Sequence, residues 1–397
     1  MAIGLVLAAA SYTALLCIFN AHVMRISNTL VAVVDGAIVL SALALALPGS
    51  RRVVTIAVLA LAVNFLALVL LSQNFDLKAV RDPLLLVAFA SLGWRYGGLD
   101  KARGAFVTVS FLVVLFALFE YLAPRAYEAL FNVISYYEAR GVVGEEVTQR
   151  LDNSFFVSGF RGDGRNLLPI LGPHRVSSIF VEPVSLGNFG ALAIAFAFSL
   201  AKAQRRLALA ALLIGAFCII MADARFASGV IIFFVVARFL PVRWSEPTLA
   251  LMPLAAISLL LVLANSNIGA GDDLPTRLAG AGRTLMSMNL PAVFGLDPTY
   301  VNTADSGYAY VLATFGLPFC VLTWLGFVAI PARNPQAARF KLLLGVYVCA
   351  LLCVSGSSLF ALKTAGLAWF MFGAMASEHR VAAARSVPSL AAQGAIA

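Results

Sequence analysis

The sequence has little charge. Asp, Glu, Lys and Arg together make up 12% of its 397 residues, whereas a soluble domain contains about 25%. Hydrophobic residues make up 61%, and the mean hydropathy is +0.94. A soluble fold cannot bury that much apolar surface, so the composition excludes a soluble enzyme, a nucleic-acid-binding domain and a disordered chain. One bilayer crossing takes about 20 apolar residues, and the chain has enough of them for about twelve crossings.

Motifs for metal and nucleotide binding are also missing. The sequence contains no P-loop, GxGxxG, HExxH or CxxC pattern. Asp272 and Asp273 are adjacent but have no third ligand beside them, and Mg²⁺ usually needs carboxylates together with substrate phosphate. The five cysteines all fall in apolar runs, where small buried hydrophobes are expected rather than ligands or disulfides. We therefore expect neither a metal nor a cofactor.

Apolar runs with few or no charges are the candidates for membrane-spanning helices. They lie near residues 2–19, 29–48, 53–73, 83–98, 104–123, 184–201, 207–222, 226–240, 248–264, 307–330, 342–356 and 358–376. The first run lacks a basic n-region and a clear cleavage site, so we interpret it as a retained helix. The predicted fold is an all-α polytopic membrane protein of about twelve transmembrane helices.

The distribution of lysine and arginine predicts the orientation. If the N-terminus is cytoplasmic, more than half of the 28 basic residues fall in cytoplasmic segments, as the positive-inside rule requires. Both termini are then inside, and two long segments face outward. The predicted organisation is helices over 1–123, a large outer loop over 124–183, helices over 184–264, a second outer loop over 265–306, helices over 307–376 and a cytoplasmic tail over 377–397.

The first outer segment begins with an amphipathic pattern. Ala126, Leu130, Val133, Ile134 and Tyr137 form an apolar stripe at helical spacing. Such a stripe predicts a helix that lies on the membrane surface. Glycines and prolines between residues 159 and 173 then break regular structure, so the segment is expected to be only partly helical.

Polar residues gather at the end of this segment, before the run that starts near Val184. They are Arg161, Asp163, Arg165, His174, Arg175 and Glu182. Arginine suits bidentate recognition of phosphate, so the cluster predicts a polar mouth that binds an anionic or sugar ligand. The alternative, strongest for Arg161 and Arg165, is a solvated loop with surface ion pairs.

Three further charges stand within or between apolar runs. Asp223 and Arg225 occupy a very short outer turn, and charges at membrane depth are costly and mark functional paths by default. Arg225 is therefore predicted to face the helix bundle, the alternative being an ion pair that holds the turn. Asp35 is either a functional acid or a hydrogen-bonded structural group, and Lys363 is expected to snorkel to the interface.

A third polar cluster extends from Arg277 to Tyr310. Arg277 and Arg283 are six residues apart, so on one helix their side chains would point about 120° apart and need not share a ligand. Asp305 and Tyr308 lie at the start of an apolar run. Asp305 is either a functional acid or a helix cap.

At these three clusters the sequence resembles the bacterial O-antigen polymerase and ligase superfamily, which comprises Wzy-type polymerases and WaaL-type ligases. The first patch, RVSSIFVEPVSLGNF (175–189), is similar to the family pattern before a helix. The second, DARFASG (223–229), is similar to the family's SRG turn, with Ala224 where serine is common. The third passes through PAVFGLDPTY (291–300) and reaches DSGYAYVLATFGL (305–317). The first patch looks most like exopolysaccharide polymerases of the xanthan type.

The resemblance implies a membrane glycosyltransferase of the GT-C class at the periplasmic face of the bacterial inner membrane. Donor and acceptor would both be polyprenyl-diphosphate-linked glycans, joined without a metal and with inversion at the anomeric carbon. Carried over by position, Arg225 and one of Arg277 and Arg283 hold the diphosphate. A flippase and a chain-length co-polymerase are the implied partners. Asp305-Ser306 stands where the ligases have His-Asn, which favours a polymerase over a ligase.

The residue chemistry leads to the same reaction. A diphosphate leaving group gains charge as its bond breaks, and preorganised arginines stabilise that charge. Asp305, Glu182 and His174 are the candidates for the base that takes the proton of the acceptor hydroxyl. The predicted substrate-binding residues are Arg225, Arg277, Arg283, Arg175, Arg161, Arg165, Asp223 and Tyr308.

Two other functions stay open. A ligase would transfer finished glycan to another acceptor, whereas a transporter or flippase would move a solute or a lipid-linked glycan without chemistry. Transporters often show paired repeats and broken helices. Neither is apparent in the sequence, and the polar residues gather on one face, so a polymerase is the favoured function.

Overall fold

The computed structural model describes most of the chain. The described residues are 1–72, 76–143, 159–160, 165, 167–266, 273–297, 299, 306–332 and 334–377. Three of the residues predicted to form the site or its mouth, Arg161, Asp163 and Asp305, lie outside these ranges.

The described chain is almost entirely helical. Its helices are α1 (Ala2–His22), α2 (Asn28–Ser72), α3 (Lys78–Tyr96), α4 (Leu99–Leu122), α5 (Pro124–Phe131), α6 (Val133–Ala139), α7 (Pro183–Ser199), α8 (Arg205–Ala222), α9 (Arg225–Phe239), α10 (Ser245–Ala264), α11 (Leu274–Ser287), α12 (Leu290–Val293), α13 (Gly307–Phe315), α14 (Leu317–Ala329), α15 (Pro335–Leu352) and α16 (Leu362–Ala376). Within the described ranges, β pairing is limited to one isolated bridge between Phe160 and His174. The chain is an all-α polytopic membrane protein, as the composition predicts.

The helices differ in whether they are long and apolar enough to cross a bilayer. Seven segments are long and apolar enough to cross a bilayer, two of them within α2, and α13 with α14 forms an eighth if the pair counts as one span. The remaining predicted runs fall on α3, α7, α9 and α16, which are shorter or more polar. Twelve crossings and the GT-C class therefore stay predictions.

Helix α2 contains two of the predicted runs and turns back on itself. Its 45 residues would extend about 67 Å if straight. Yet Asp35 Oδ2 lies 3.6 Å from Arg81 Nη1, and Ser72 lines a small cavity together with Ala79. Both halves of α2 thus reach the beginning of α3, which requires a sharp bend between them. Pro48 lies inside the helix, at the end of its first apolar segment. Proline removes one helical hydrogen bond, which makes a bend at this position less costly.

A broken helix occupies the region where the sequence predicts one continuous span. Helices α13 and α14 are bent by 109° relative to each other. Gly316 joins them with φ 77°, a left-handed conformation that glycine adopts without strain, and Asn64 Nδ2 donates to Phe315 O at 3.1 Å. The expectation that the chain has no broken helix is wrong, because hydropathy does not register a change of chain direction inside an apolar run.

The start of the first outer segment packs against protein rather than lying on the membrane surface as one helix. Asn132, with φ 40°, separates α5 from α6. Tyr127 and Tyr136 are buried, and both helices contact α1, while α5 also contacts α4. Ala126, at the start of the predicted stripe, is exposed. The prediction that the apolar stripe faces the membrane surface is therefore wrong, because this side of α5 and α6 packs against the helix bundle.

Small residues bring the central helices into close contact. Helices α3 and α16 cross with Gly93 and Gly373 at their interface, where a Cβ on Gly373 would stand 1.9 Å from Ala90 O and one on Gly93 would stand 2.1 Å from Phe370 O. Close backbone approach through small residues is a common way for membrane helices to associate.

Candidate functional site

Most buried charges lie at one end of the bundle, where α4 ends and α7 begins; we call this the polar end. The strongest cluster there is built around Glu120, near the C-terminus of α4. Its fully buried carboxylate accepts the backbone N–H of Ser177 at 2.9 and 3.0 Å and that of Ser178 at 2.6 Å. His174 Nε2 lies 3.1 Å from Oε1 of the same carboxylate. Glu120 thereby ties the segment before α7 to α4.

Glu120 is a functional candidate that the sequence patterns did not single out. The signal was present, because an acid three residues from the end of an otherwise apolar run is costly at membrane depth. Its partners, by contrast, lie more than fifty residues further along the chain and cannot be read from local spacing.

Two of the predicted arginines contact the C-terminus of α8. Arg175 Nε donates to Ala222 O at 2.9 Å, and Arg165 Nη2 donates to Met221 O. Both side chains are buried. Cations are stabilising at a helix C-terminus, where carbonyl groups lack intrahelical partners. These two arginines therefore have a structural role at the polar end, and their binding of an anionic ligand stays a prediction.

The turn between α8 and α9 is likewise tied to this segment. Asp223 is fully buried, adopts φ 48° and accepts the backbone N–H of Leu167 at 2.9 Å. Arg225, two residues later, begins α9 and is half-buried. The structure thus brings the first and second predicted clusters together, although they are about fifty residues apart in sequence.

Glu182 forms a buried ion pair with Lys363. Lys363 Nζ, at the start of α16, donates to Glu182 Oε2 at 2.6 Å and to Phe180 O at 3.0 Å, and Ser185 Oγ donates to the same Glu182 oxygen at 3.0 Å. The expectation that Lys363 snorkels to the interface is wrong, because this partner holds it inside. Burial raises the pKa of the Glu182 carboxyl, but Lys363 and Ser185 outweigh that effect and hold the pKa below its usual value.

A second ionic cluster joins α2, α3 and α13. Arg81 contacts Asp35 at 3.6 Å and Asp82 at 2.6 Å, and Tyr310 Oη donates to Asp82 Oδ2 at 2.8 Å. Asp35 therefore has a structural partner in Arg81. Asp82 and Tyr310 are additional members, and neither was singled out from the sequence because their pairing spans more than two hundred residues.

The third predicted cluster is placed mainly on α11. Arg277 and Arg283 both belong to this helix and are exposed. Tyr308 is buried, and its hydroxyl lies 3.4 Å from Cys349 O on α15. It therefore faces a neighbouring helix, and its contact with substrate stays a prediction.

A long apolar groove runs between α9, α10, α11 and α15. Its volume is about 360 Å³, and its lining includes Phe226 on α9, Leu240 directly after that helix, and Leu274 and Leu278 on α11. Phe226 and Leu240 are fourteen residues apart, which corresponds to about 21 Å along a helix. The groove therefore runs along nearly the whole length of α9. It begins one residue beyond Arg225.

Metal-binding geometry is absent from the described part of the chain. No three His, Cys, Asp or Glu side chains lie there close enough together to hold a metal ion. Metal-free chemistry stays a prediction, since the described ranges leave out several acidic residues, Asp305 among them.

Together, the helical bundle, the buried charges of the polar end and the apolar groove define a multi-pass membrane protein with a candidate site for an amphiphilic ligand. Comparison of the chain with protein-family models, with curated proteins and with solved structures finds no match.

Proposed function

We propose that this protein polymerises polyprenyl-diphosphate-linked oligosaccharide repeat units into exopolysaccharide or O-antigen at the periplasmic face of the bacterial inner membrane. The observation that carries the proposal is the apolar groove, whose first lining residue on α9, Phe226, directly follows Arg225 in the chain. A ligand that fits both features has a long apolar chain and an anionic head. A polyprenyl diphosphate has that chemistry.

The helical spacing on α11 favours Arg277 as the second arginine for the diphosphate. Leu274 and Leu278 line the groove, and at 100° per residue Arg277 is about 60° from Leu274, whereas Arg283 is about 180° from it. Arg277 therefore borders the groove, and Arg283 lies on the other side of the helix. Arg225 and Arg277 are the pair that we assign to the diphosphate, because guanidinium groups match phosphate oxygens in bidentate geometry.

The reaction is an inverting glycosyl transfer of the GT-C type. A hydroxyl of one lipid-linked repeat attacks the anomeric carbon of another, the bond from that carbon to the diphosphate breaks, and the diphosphate oxygen takes the electron pair. Arg225 and Arg277 stabilise the charge that develops on the diphosphate. The hydroxyl proton goes to a base. We favour His174 over Glu182 as that base, because Lys363 and Ser185 already donate hydrogen bonds to the Glu182 carboxylate.

Substitution of Arg225 tests the proposal. In cells that lack their own copy of the gene, Arg225→Ala should abolish polymer of high molecular weight while the protein remains in the membrane, and Arg225→Lys should restore it only in part because lysine is not bidentate. Arg243→Ala removes an exposed arginine from the turn between α9 and α10; it is the matched control and should be silent. Normal polymer from the Arg225→Ala variant would refute the assignment.

Transport of a lipid-linked glycan or a solute is the second candidate, and the broken pair α13 and α14 favours it, since transporters use such helices. Purified protein in detergent separates the functions. Lengthening of lipid-linked repeats indicates a polymerase, and transfer of finished chains to a different acceptor indicates a ligase. Movement of the ligand across proteoliposomes without any new bond indicates a transporter.

A further inference from the structure

Two residues just before α7 adopt backbone conformations that their side chains disfavour. Ser178 has φ 55° and Val181 has φ 51°, both in the left-handed region. Such a conformation costs about 1–3 kcal/mol for a residue other than glycine, and it persists only where the surroundings hold it. Strained residues of this kind gather at functional sites. The turn Ser178–Val181 lies between two candidate bases, His174 and Glu182.

Every polar group of Ser178 is held by another part of the bundle. Its N–H donates to Glu120 Oε2 at 2.6 Å, its carbonyl accepts the hydroxyl of Tyr127 at 2.7 Å, and its own hydroxyl donates to Val113 O at 2.6 Å. Glu120 and Val113 belong to α4, and Tyr127 belongs to α5. The strained turn is therefore fixed from outside its own segment.

Among the three residues that hold Ser178, Glu120 also contacts the imidazole of His174, a candidate base. The same carboxylate that accepts the N–H groups of Ser177 and Ser178 also faces His174 Nε2 at 3.1 Å. Removing a charged group from water is expensive and is offset only by good hydrogen bonds. The imidazole supplies a further hydrogen bond to this buried carboxylate, so the ring and the turn share one anchor. With Nε2 donating to Glu120, Nδ1 is the nitrogen left to accept a proton in neutral histidine. Nδ1 is buried in this structure, so the acceptor hydroxyl reaches it only when substrate displaces the groups that cover it.

We propose that Glu120 is a positioning residue that holds His174 in the orientation in which it takes the proton of the acceptor hydroxyl. The inference rests on the proposed function and goes one step beyond it. Glu120 does not touch substrate. It fixes the ring through Nε2 and the neighbouring backbone through Ser177 and Ser178. Removing the carboxylate charge should therefore lower the maximal rate and leave substrate affinity nearly unchanged.

The test uses the full-length protein in detergent. Its substrate is the lipid-linked repeat unit extracted from cells that lack the gene and accumulate that unit. Initial rates of chain lengthening are measured against substrate concentration for wild type, Glu120→Gln, His174→Ala and the double variant. General-base catalysis contributes about 10²–10⁴-fold, so Glu120→Gln should lower the maximal rate about tenfold or more with KM changed less than about threefold. Glu246→Gln, an exposed acid at the start of α10, is the control.

The double variant separates positioning from simple support of the fold. If Glu120 acts through His174, the double variant should be no slower than His174→Ala alone, because residues that act as a unit are non-additive. Adding Ser178→Gly to Glu120→Gln removes the backbone strain and should not restore the rate. Additive losses, a full rescue by Ser178→Gly, or a Glu120→Gln rate equal to wild type would each overturn the inference.

Two further outcomes keep the test decisive. If Glu120→Gln does not reach the membrane, His174→Ala decides alone, and a wild-type rate from that variant overturns the inference. If wild-type protein lengthens no chain, the proposed function fails and this inference fails with it. If wild type lengthens chains and the variants do so equally well, only the role of Glu120 and His174 is refuted.

Discussion

Replacing Lys363 with methionine removes one half of the buried pair that joins α7 to α16. Lys363 makes two hydrogen bonds, at 2.6 Å to Glu182 Oε2 and at 3.0 Å to Phe180 O, and its side chain is 9% exposed against 29% for Glu182. Removing one partner of a buried pair costs about 3–5 kcal/mol because the other charge is left uncompensated. The partial exposure of Glu182 places the expected loss at about 3 kcal/mol, the lower end of that range.

Thermal unfolding in detergent, at one scan rate for all proteins, measures this loss. Lys363→Met should lower the transition by about 5 °C, and the double variant Lys363→Met with Glu182→Gln should recover most of that loss, because a neutral pair carries no uncompensated charge. Lys202→Met, at an exposed lysine at the other end of the bundle, is the control. A wild-type transition for Lys363→Met, or a double variant as unstable as the single one, would refute the reasoning.

Two further predictions concern helix packing and pH. Gly373→Val should destabilise the fold by at least about 3 kcal/mol in the same unfolding scan. Overpacking costs about 1–3 kcal/mol even where neighbours can move, and here the neighbour is a backbone oxygen, Ala90 O. Gly326→Ala is the control and should be silent, because a Cβ at Gly326 meets nothing within 4 Å. Because the pKa of Glu182 is held below its usual 4.5, the pair stabilises the fold fully above about pH 4.5, and that stability is lost as the pH falls through the lowered pKa. Unfolding scans across this pH range should show a smaller loss for Glu182→Gln than for wild type, and equal losses would contradict the direction of the shift.

Hydropathy predicts the positions of the helices well, because a run of apolar residues that will face lipid or a neighbouring helix can be recognised from the local sequence alone. Each predicted run falls on a helix, including the two runs that α2 joins. Direction within a run is different. The break at Gly316 depends on one backbone dihedral, which hydropathy does not contain, and so the run 307–330 was predicted as a single span.

The sequence identifies the unusual polar residues but not their partners. Glu182 and Lys363 both stand out by charge, but they are 181 residues apart, so a local explanation, snorkelling, is the simplest prediction for Lys363. Arg165 and Arg175 also stand out by charge, whereas their contacts with α8 depend on a helix that is distant in sequence. Sequence therefore predicts which charges are unusual, and only the packed bundle determines which of them neutralise one another.

The short buried helix α13 has a mechanical consequence. It contacts α2 and α3 as well as α11 and α15, so it connects two groups of helices. Asn64 and the bond from Tyr310 to Asp82 fasten it to the first group, and α11 and α15, the second group, form walls of the apolar groove. A displacement of α11 or α15 would therefore move α13 and, through Tyr310, also Asp82 and Arg81. Rotation at Gly316 is the alternative way to absorb such a displacement. The two faces of the bundle are therefore not mechanically independent.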